Sequence, residues 1–195
     1  MFVFEYSKSL VKFIVWIVRG TPLMLQLIVI YFGPGLLFHK NIWGMGTAGR
    51  FTAVIVAFII NYSCYFSEIY RGGIEGISKG QYEAATALGY SDNQSFFKIL
   101  LPQAAKHFLP IYRNEVVTLI KETSVAGYIA IQDLTKISDL VRSRTYEPFF
   151  PLVATAVVYF VLAAIMTAIV NRVEININPK RRPESKILEG IKEWE

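Results

Sequence analysis

Long apolar runs alternate with short polar breaks along this chain, and the breaks set its organisation. Phe2 to Val18 is amphipathic: Tyr6, Leu10, Phe13, Ile14 and Ile17 share one helical face, while Glu5, Lys8 and Lys12 share the other. Such a helix lies along a membrane surface or forms the end of a longer span. Gly20-Thr21-Pro22 stops one helix and starts the next, with Thr21 able to cap and Pro22 suited to the first helical position. A first span is expected over residues 22–38, with Gln26 its one strongly polar side chain and Gly33-Pro34-Gly35 bending or breaking it near its far end. His39, Lys40 and Asn41 mark water, ahead of a Gly-rich turn at 44–49. A second span covers 51–70. Its later half carries Asn61, Ser63, Ser67 and Glu68, and Arg71-Gly72-Gly73 should end it. A third covers 108–131 despite Arg113, Asn114 and Glu115 near its start and Lys121-Glu122-Thr123-Ser124 in its middle. Central charges cost roughly 2.5–3.5 kcal/mol each on insertion scales, so this helix must face inward in a bundle. A mixed-charge, partly helical external segment follows over 131–147. The fourth span, 149–170, is about 22 residues without a charge, where about 20 suffice to cross. A polar tail occupies 173–195.

The expectation is therefore an all-α membrane protein, a bundle of about four spanning helices in one transmembrane domain, 1–172. Composition supports it: 53% of residues are hydrophobic and 18% charged, against roughly 25% charged in soluble domains, with a mean hydropathy of +0.39. The net charge of +5 would suggest nucleic acid in a soluble protein. Here the basic residues flank apolar segments, so they speak of topology instead. Lys8, Lys12 and Arg19 precede the first span. Arg71, Lys79, Lys98 and Lys106 lie between the second and third, and Arg172 and Lys180 to Arg182 follow the fourth. Basic residues gather on the cytoplasmic side, which puts both termini and the loop around residues 83–102 there. The lone Cys64 excludes an internal disulfide framework or a cysteine metal cluster. Phe2–Val18 has no small-residue cleavage site and is not expected to be a signal peptide.

That loop carries the strongest signal. It reads EAATALGYSDNQSFFKILLP: Glu83-Ala84-Ala85, three residues, Gly89, nine residues, Ile99, one residue, Leu101-Pro102. Residues 81–88 should form a short helix ending at Gly89, where a left-handed backbone is cheap. Ser91 and Gln94 have capping-box spacing for a second helix, and Pro102 should end the segment. Tyr82, Ala85, Leu88, Phe96, Phe97 and Leu100 offer an apolar surface to a partner or to the loop's own interior. The small Ala84 and Ala85 would permit close approach. Glu83 would equally serve as a helix-start charge.

This spacing resembles the cytoplasmic loop signature of ABC importer permeases. Arg19-Gly20-Thr21-Pro22-Leu23, Gln26-Leu27 and Tyr31-Phe32-Gly33 resemble a segment of the polar amino-acid permeases, the histidine/glutamine/arginine/cystine type. So do Glu68-Ile69-Tyr70-Arg71-Gly72-Gly73-Ile74 and Lys121-Glu122-Thr123-Ser124-Val125. The resemblance runs from about Tyr6 to Arg172. It implies the transmembrane domain of a type I ABC importer, which takes up the work of ATP hydrolysis through Glu83, Ala84, Ala85, Gly89, Ile99, Leu101 and Pro102. The implied partners are a separate ATPase subunit holding ATP and Mg2+, a second permease subunit in a homodimer or heterodimer, an extracytoplasmic binding protein, an amino-acid substrate and membrane lipid. No cofactor is expected on this chain, and the implied location is a bacterial inner or plasma membrane. Family members usually have five spans, and the chain is expected to lack the first. The alternative reading is accordingly a truncated, non-transporting membrane partner that regulates or assembles with an ABC ATPase.

Other constellations are weak. Gly72 to Gly80 looks like a phosphate loop but lacks Gly-Lys-Ser/Thr at the right place and follows an apolar helix. His39 and His107 fall on opposite expected sides, so they share no metal site. No catalytic set can be assembled, and the chain is not expected to be an enzyme. The polar residues inside the spans are better candidates. Gln26, Asn61, Ser63, Asn114, Glu122, Thr123 and Ser124 could meet in one central path. Glu122 is open to two roles, substrate contact or pairing with Lys121 or a neighbouring subunit. Asn61 and Ser63 also suit helix-to-helix hydrogen bonding.

Overall fold

The computed structural model describes residues 2–44 and 46–177, with side chains described between 9 and 175. The tail motif Lys180–Arg182 therefore lies outside the described residues. Eight α-helices account for most of the rest: α1 Phe2–Gly20, α2 Leu23–Phe38, α3 Thr47–Glu75, α4 Lys79–Ala87, α5 Asp92–Ser95, α6 Leu101–Glu122, α7 Leu134–Thr145 and α8 Phe150–Ile177. A π turn, Phe96–Leu100, joins α5 to α6, and a 3-10 turn, Thr123–Ile129, follows α6.

Among the described residues two helices are long and apolar enough to cross a membrane by themselves, Thr47–Glu75 and Phe150–Ile175. At 1.5 Å per residue α3 is ~43 Å long, more than the ~30 Å hydrocarbon core. The α1–α2 pair, bent by 109°, becomes a third span if taken together. The remaining expected span, α6, does not qualify on composition, because Lys106, Arg113, Glu115, Lys121 and Glu122 punctuate it. It is instead sandwiched between α3 and α8. Arg113 donates to Asn171 Oδ1 at 2.9 Å and to Glu174 Oε2 at 3.4 Å, and Glu174 is buried. A charge in apolar surroundings is tolerable when a partner helix supplies its counter-charge.

Several boundaries differ from the sequence expectation, each for a local reason. Gly72-Gly73 does not end α3, which continues to Glu75. A Cβ on Gly73 would sit 2.9 Å from Phe108 Cδ1, so the missing side chain lets α3 and α6 close on each other. Above that contact an aromatic ladder, Tyr70, Phe108, Tyr112, Phe66 and Tyr62, fills the α3–α6 seam. Thr21 does not cap α2. Its hydroxyl donates backwards to Ile17 O at 3.0 Å, finishing α1. Pro34 does not break α2, which runs on to Phe38. A proline leaves the carbonyl four residues earlier without its donor. That carbonyl, Ile30 O, accepts from Trp43 Nε1 at 2.8 Å. The same tryptophan packs on the small core of Leu27, Ala53, Ala57 and Ile129, where two alanines one turn apart admit α2. Pro102 does not end its helix either: α5, the π turn and α6 form one continuous rod. Leu101 N donates to Phe96 O, five residues back, and Pro102 sits in the first turn beyond. The widened turn accommodates a ring that a regular helix would force against a carbonyl.

Candidate functional site

The 79–102 loop is a folded unit. Helix α4 ends on Gly89 at φ +80°, and Tyr90 N donates to Ala85 O while Gly89 N donates to Thr86 O. This paired closure requires a left-handed residue, which glycine adopts without strain. The capping box forms: Gln94 N donates to Ser91 Oγ and Ser91 N to Gln94 Oε1 at 3.1 Å. Tyr82 OH donates to Asp92 Oδ1 at 2.8 Å, fastening α4 to α5, and this carboxylate holds the phenol's pKa above its ordinary value. Gln103 Nε2 donates to Gln81 Oε1 at 3.1 Å.

This folding sorts the signature residues by exposure. Ala85 is buried in the loop's own interior, as is Ser95. Glu83, Ala84, Gly89 and Pro102 are exposed, and Ile99 and Leu101 are half-buried. Of the expected apolar surface, Tyr82, Leu88 and Phe97 face outward, and Leu88 is 76% exposed. The loop thus presents an acidic residue, a small residue and large apolar side chains on a scaffold closed by its own hydrogen bonds.

The polar residues within the helices divide into groups. Asn61, 4% exposed, donates to Gln26 Oε1 at 3.0 Å. The Gln26 amide nitrogen in turn contacts Val18 O at 2.7 Å, Thr21 O at 3.0 Å and Thr21 Oγ1 at 2.8 Å. Its hydrogen-bonding capacity is spent at the α1–α2 elbow. Tyr65 OH donates to Arg19 O at 3.4 Å, and Arg19 lies 3.6 Å from Glu68. Asn61, Tyr65 and Glu68 recur at i, i+4 and i+7, so one stripe of α3 grips the elbow from end to end.

A second group gathers around Glu122. Tyr62 OH donates to Glu122 Oε2 at 2.7 Å, joining α3 to the end of α6. Glu115, two turns earlier on the same face, lies within electrostatic range of Glu122 and of Arg19. Lys121 is exposed and makes no ion pair with Glu122 among the described residues, so of the roles open to Glu122 pairing with Lys121 is not seen. Thr123 and Ser124 hydroxyls bond back to Ile120 O at 2.6 Å and Lys121 O at 2.9 Å, where α6 tightens into the 3-10 turn. Ser63 and Asn114 are exposed and join neither group. Sequence reasoning missed Tyr62, Tyr65 and Glu115. The available signal was their helical spacing: Tyr62 follows Asn61 in an apolar span, and Glu115 precedes Glu122 by seven residues.

Long apolar helices around a partly charged central helix, with a self-folded two-helix loop at one end, define a membrane-embedded helical subunit. The family model described as binding-protein-dependent transport system inner membrane component matches residues 2–178, and the chain belongs to that family. It is similar to the nopaline transport system permease protein NocM of Agrobacterium fabrum, 36% identical over 179 residues, 90% of this chain and 74% of the relative. It is also similar to the arginine transport system permease protein ArtQ of Bacillus subtilis, 40% identical over 156 residues, 80% of this chain and 68% of the relative. Among solved structures, an amino acid ABC transporter crystallised with histidines matches with a TM-score of 0.74 and 34% identity, over 85% of this chain and 74% of that one. The resemblance drawn from the motifs is thereby shown, and the chain is a permease subunit of an ABC importer rather than an enzyme in its own right.

Proposed function

We propose that this chain forms the translocation path of an ATP-driven amino-acid importer in a bacterial inner membrane. In this reading the 83–102 loop receives a separate ATPase subunit, which carries ATP and Mg2+. A second permease subunit completes the path, and an extracytoplasmic binding protein delivers substrate. The observation that carries the reading is the unbroken rod from Asp92 to Glu122. Its first turns belong to the loop, and its last residue is the carboxylate held by Tyr62. A push on the exposed face of Glu83 and Ala84 on α4 would pass through the Gly89 turn and the Tyr82–Asp92 bond into this helical run, and along it past Pro110 to the Glu122 end. The similarity to transport system permease proteins for arginine and nopaline supports transport over the alternative of a non-transporting partner.

Co-purification with the cognate ATPase and uptake in vesicles test this reading together. Glu83→Arg should abolish co-purification and uptake while the folded yield of the permease is kept. Retention of both would overturn the docking role. At the other end of the rod, Glu122→Gln keeps an acceptor for Tyr62 and removes the charge. Uptake of a cationic amino acid should fall about tenfold, as for loss of a charged hydrogen bond, with neutral substrates little changed. An equal loss for both would place Glu122 in structure rather than in the path.

A further inference from the structure

The elbow between α1 and α2 creates a second feature that transport as described does not use. Helix α1 departs from α2 by 109°, so with α2 along the membrane normal it lies within roughly 20° of the membrane plane. Its exposed surface is apolar and aromatic: Phe13 and Trp16 stack at 6.1 Å, and Trp16, at the rim of the α1–α3 cleft, is 71% exposed. Tryptophan at that depth anchors a helix among headgroups.

Between α1 and α3 lies a cavity of about 450 Å³. Lys12, Arg19 and Arg71 line it together with Ser67, and Glu68 is the one acidic side chain in its wall. Arg71 is held by Glu68 and Glu75, which orients its guanidinium while leaving donors unspent on both terminal nitrogens. Val11, Val15 and Trp16 form the apolar part of the same wall. The cavity does not end there. Val11, Val15 and Ser67 also border a neighbouring groove of about 210 Å³, which continues past Ile14, Ser63 and Cys64 and is almost wholly apolar. From Arg71 back to Ser63 is ~12 Å along the axis of α3, close to the ~15 Å depth of one hydrocarbon leaflet.

A cationic pocket opening into a short apolar groove, ~6 Å long between Ser67 and Ser63, offers a headgroup site and the first part of an acyl-chain path. We propose that the α1–α3 cleft binds one anionic phospholipid, its phosphate among Lys12, Arg19, Arg71 and Ser67 and an acyl chain along the groove past Cys64. A free phosphate would satisfy the cations and leave the apolar groove unused. A zwitterionic lipid would fill the groove but bring its own cation against a lining that carries Lys12, Arg19 and Arg71 and only Glu68 to offset them, with Lys12 in no ion pair among the described residues. The lipid would wedge the elbow against α3 at the end of the helix that leads into the loop. If the loop is cytoplasmic, as the basic residues imply, this is the leaflet in which anionic lipid carries the negative surface potential.

The test uses the 195-residue chain in nanodiscs, and its single cysteine supplies a native reporter. Discs of phosphatidylcholine alone are compared with discs containing phosphatidylglycerol, and glycerol phosphate is added to the first as a headgroup without chains. Native mass spectrometry should show phosphatidylglycerol retained about tenfold over phosphatidylcholine, and Cys64 alkylation should slow as phosphatidylglycerol is added. Glycerol phosphate should do neither. Lys12→Gln, at an exposed position, should lower retention about fivefold, the effect of one basic residue at the surface. Ser63→Phe, which fills the groove, should remove the lipid-dependent change in alkylation; both variants are compared at equal monodispersity with the parent. Equal retention of the two lipids, no change in Lys12→Gln, or glycerol phosphate acting as strongly as the lipid would overturn the proposal. So would a Cys64 already shielded in phosphatidylcholine alone, which would mean that a second copy or another protein segment covers the groove.

Discussion

The 79–102 loop and the helical centre solve the problem of holding polar groups in opposite ways. In the loop the bonds are mostly local, with Gln103–Gln81 across its base the longest at 22 residues. Tyr90 closes on Ala85 and Gly89 on Thr86, Ser91 on Gln94, and Tyr82 on Asp92, none more than ten residues apart. In the centre the bonds join residues far apart in sequence: Gln26 with Asn61, Tyr62 with Glu122, Arg113 with Asn171. A unit closed by local bonds holds its shape while its surroundings shift. A centre closed by distant bonds holds only while the helices stay in register. The loop can thus be displaced as a unit, whereas the centre holds only as its helices keep their register.

Substitutions can break that comparison. The largest effect is expected at the α3–α6 contact. Gly73→Leu drives a side chain into Phe108 and should cost about 3 kcal/mol, the upper range for overpacking, with a sharp loss of folded yield in detergent. A tolerated leucine would mean that the two helices are free to separate. Next comes the elbow. Gln26→Leu strips donors from Val18 O and Thr21 O and an acceptor from Asn61, and should lower stability by about 2 kcal/mol. Thermal unfolding reports it, and a mere change in substrate preference at full stability would return Gln26 to the path.

In the loop the expectation reverses, with function lost and fold kept. Gly89→Val places a β-branched residue at φ +80°, a strain of about 1–2 kcal/mol confined to one turn. Uptake should fall several-fold while membrane insertion and yield stay at parental levels, measured on the same vesicle preparation. The smallest effect is at Tyr82. Its raised pKa means that the bond to Asp92 is intact below the ordinary phenol range and is lost as pH rises through the elevated value. Tyr82→Phe should therefore make the loop about twofold more sensitive to proteolysis at neutral pH, with the difference vanishing in strong alkali. A constant difference across pH would assign the effect to packing.

The same division explains what the sequence disclosed. The Gly89 turn and the Ser91 capping box were legible because each depends on a few adjacent residues. The apolar stretch of α8 was legible because its length alone decides it. The continuation of helices through Gly72-Gly73, Pro34 and Pro102 was not, since each depends on what packs alongside: Phe108, the Trp43 indole and a π turn. Among the central polar residues, sequence position identified Asn61, Gln26 and Glu122 as worth attention but left their partners unassigned. Tyr62 as the donor to Glu122 lies sixty residues away, and no spacing rule reaches that far.

The Trp43 indole also bears on how the protein is made. Until residue 43 has left the ribosome, α2 has a bare carbonyl at Ile30, and such a group in lipid costs several kcal/mol. Helix α2 is therefore incomplete as an independent insertion unit. It becomes a satisfied span only when the turn beyond it folds back, so the translocation machinery must shelter the two together. Replacing Trp43 with phenylalanine would keep the ring and remove the donor, leaving a nascent chain that lingers in that shelter.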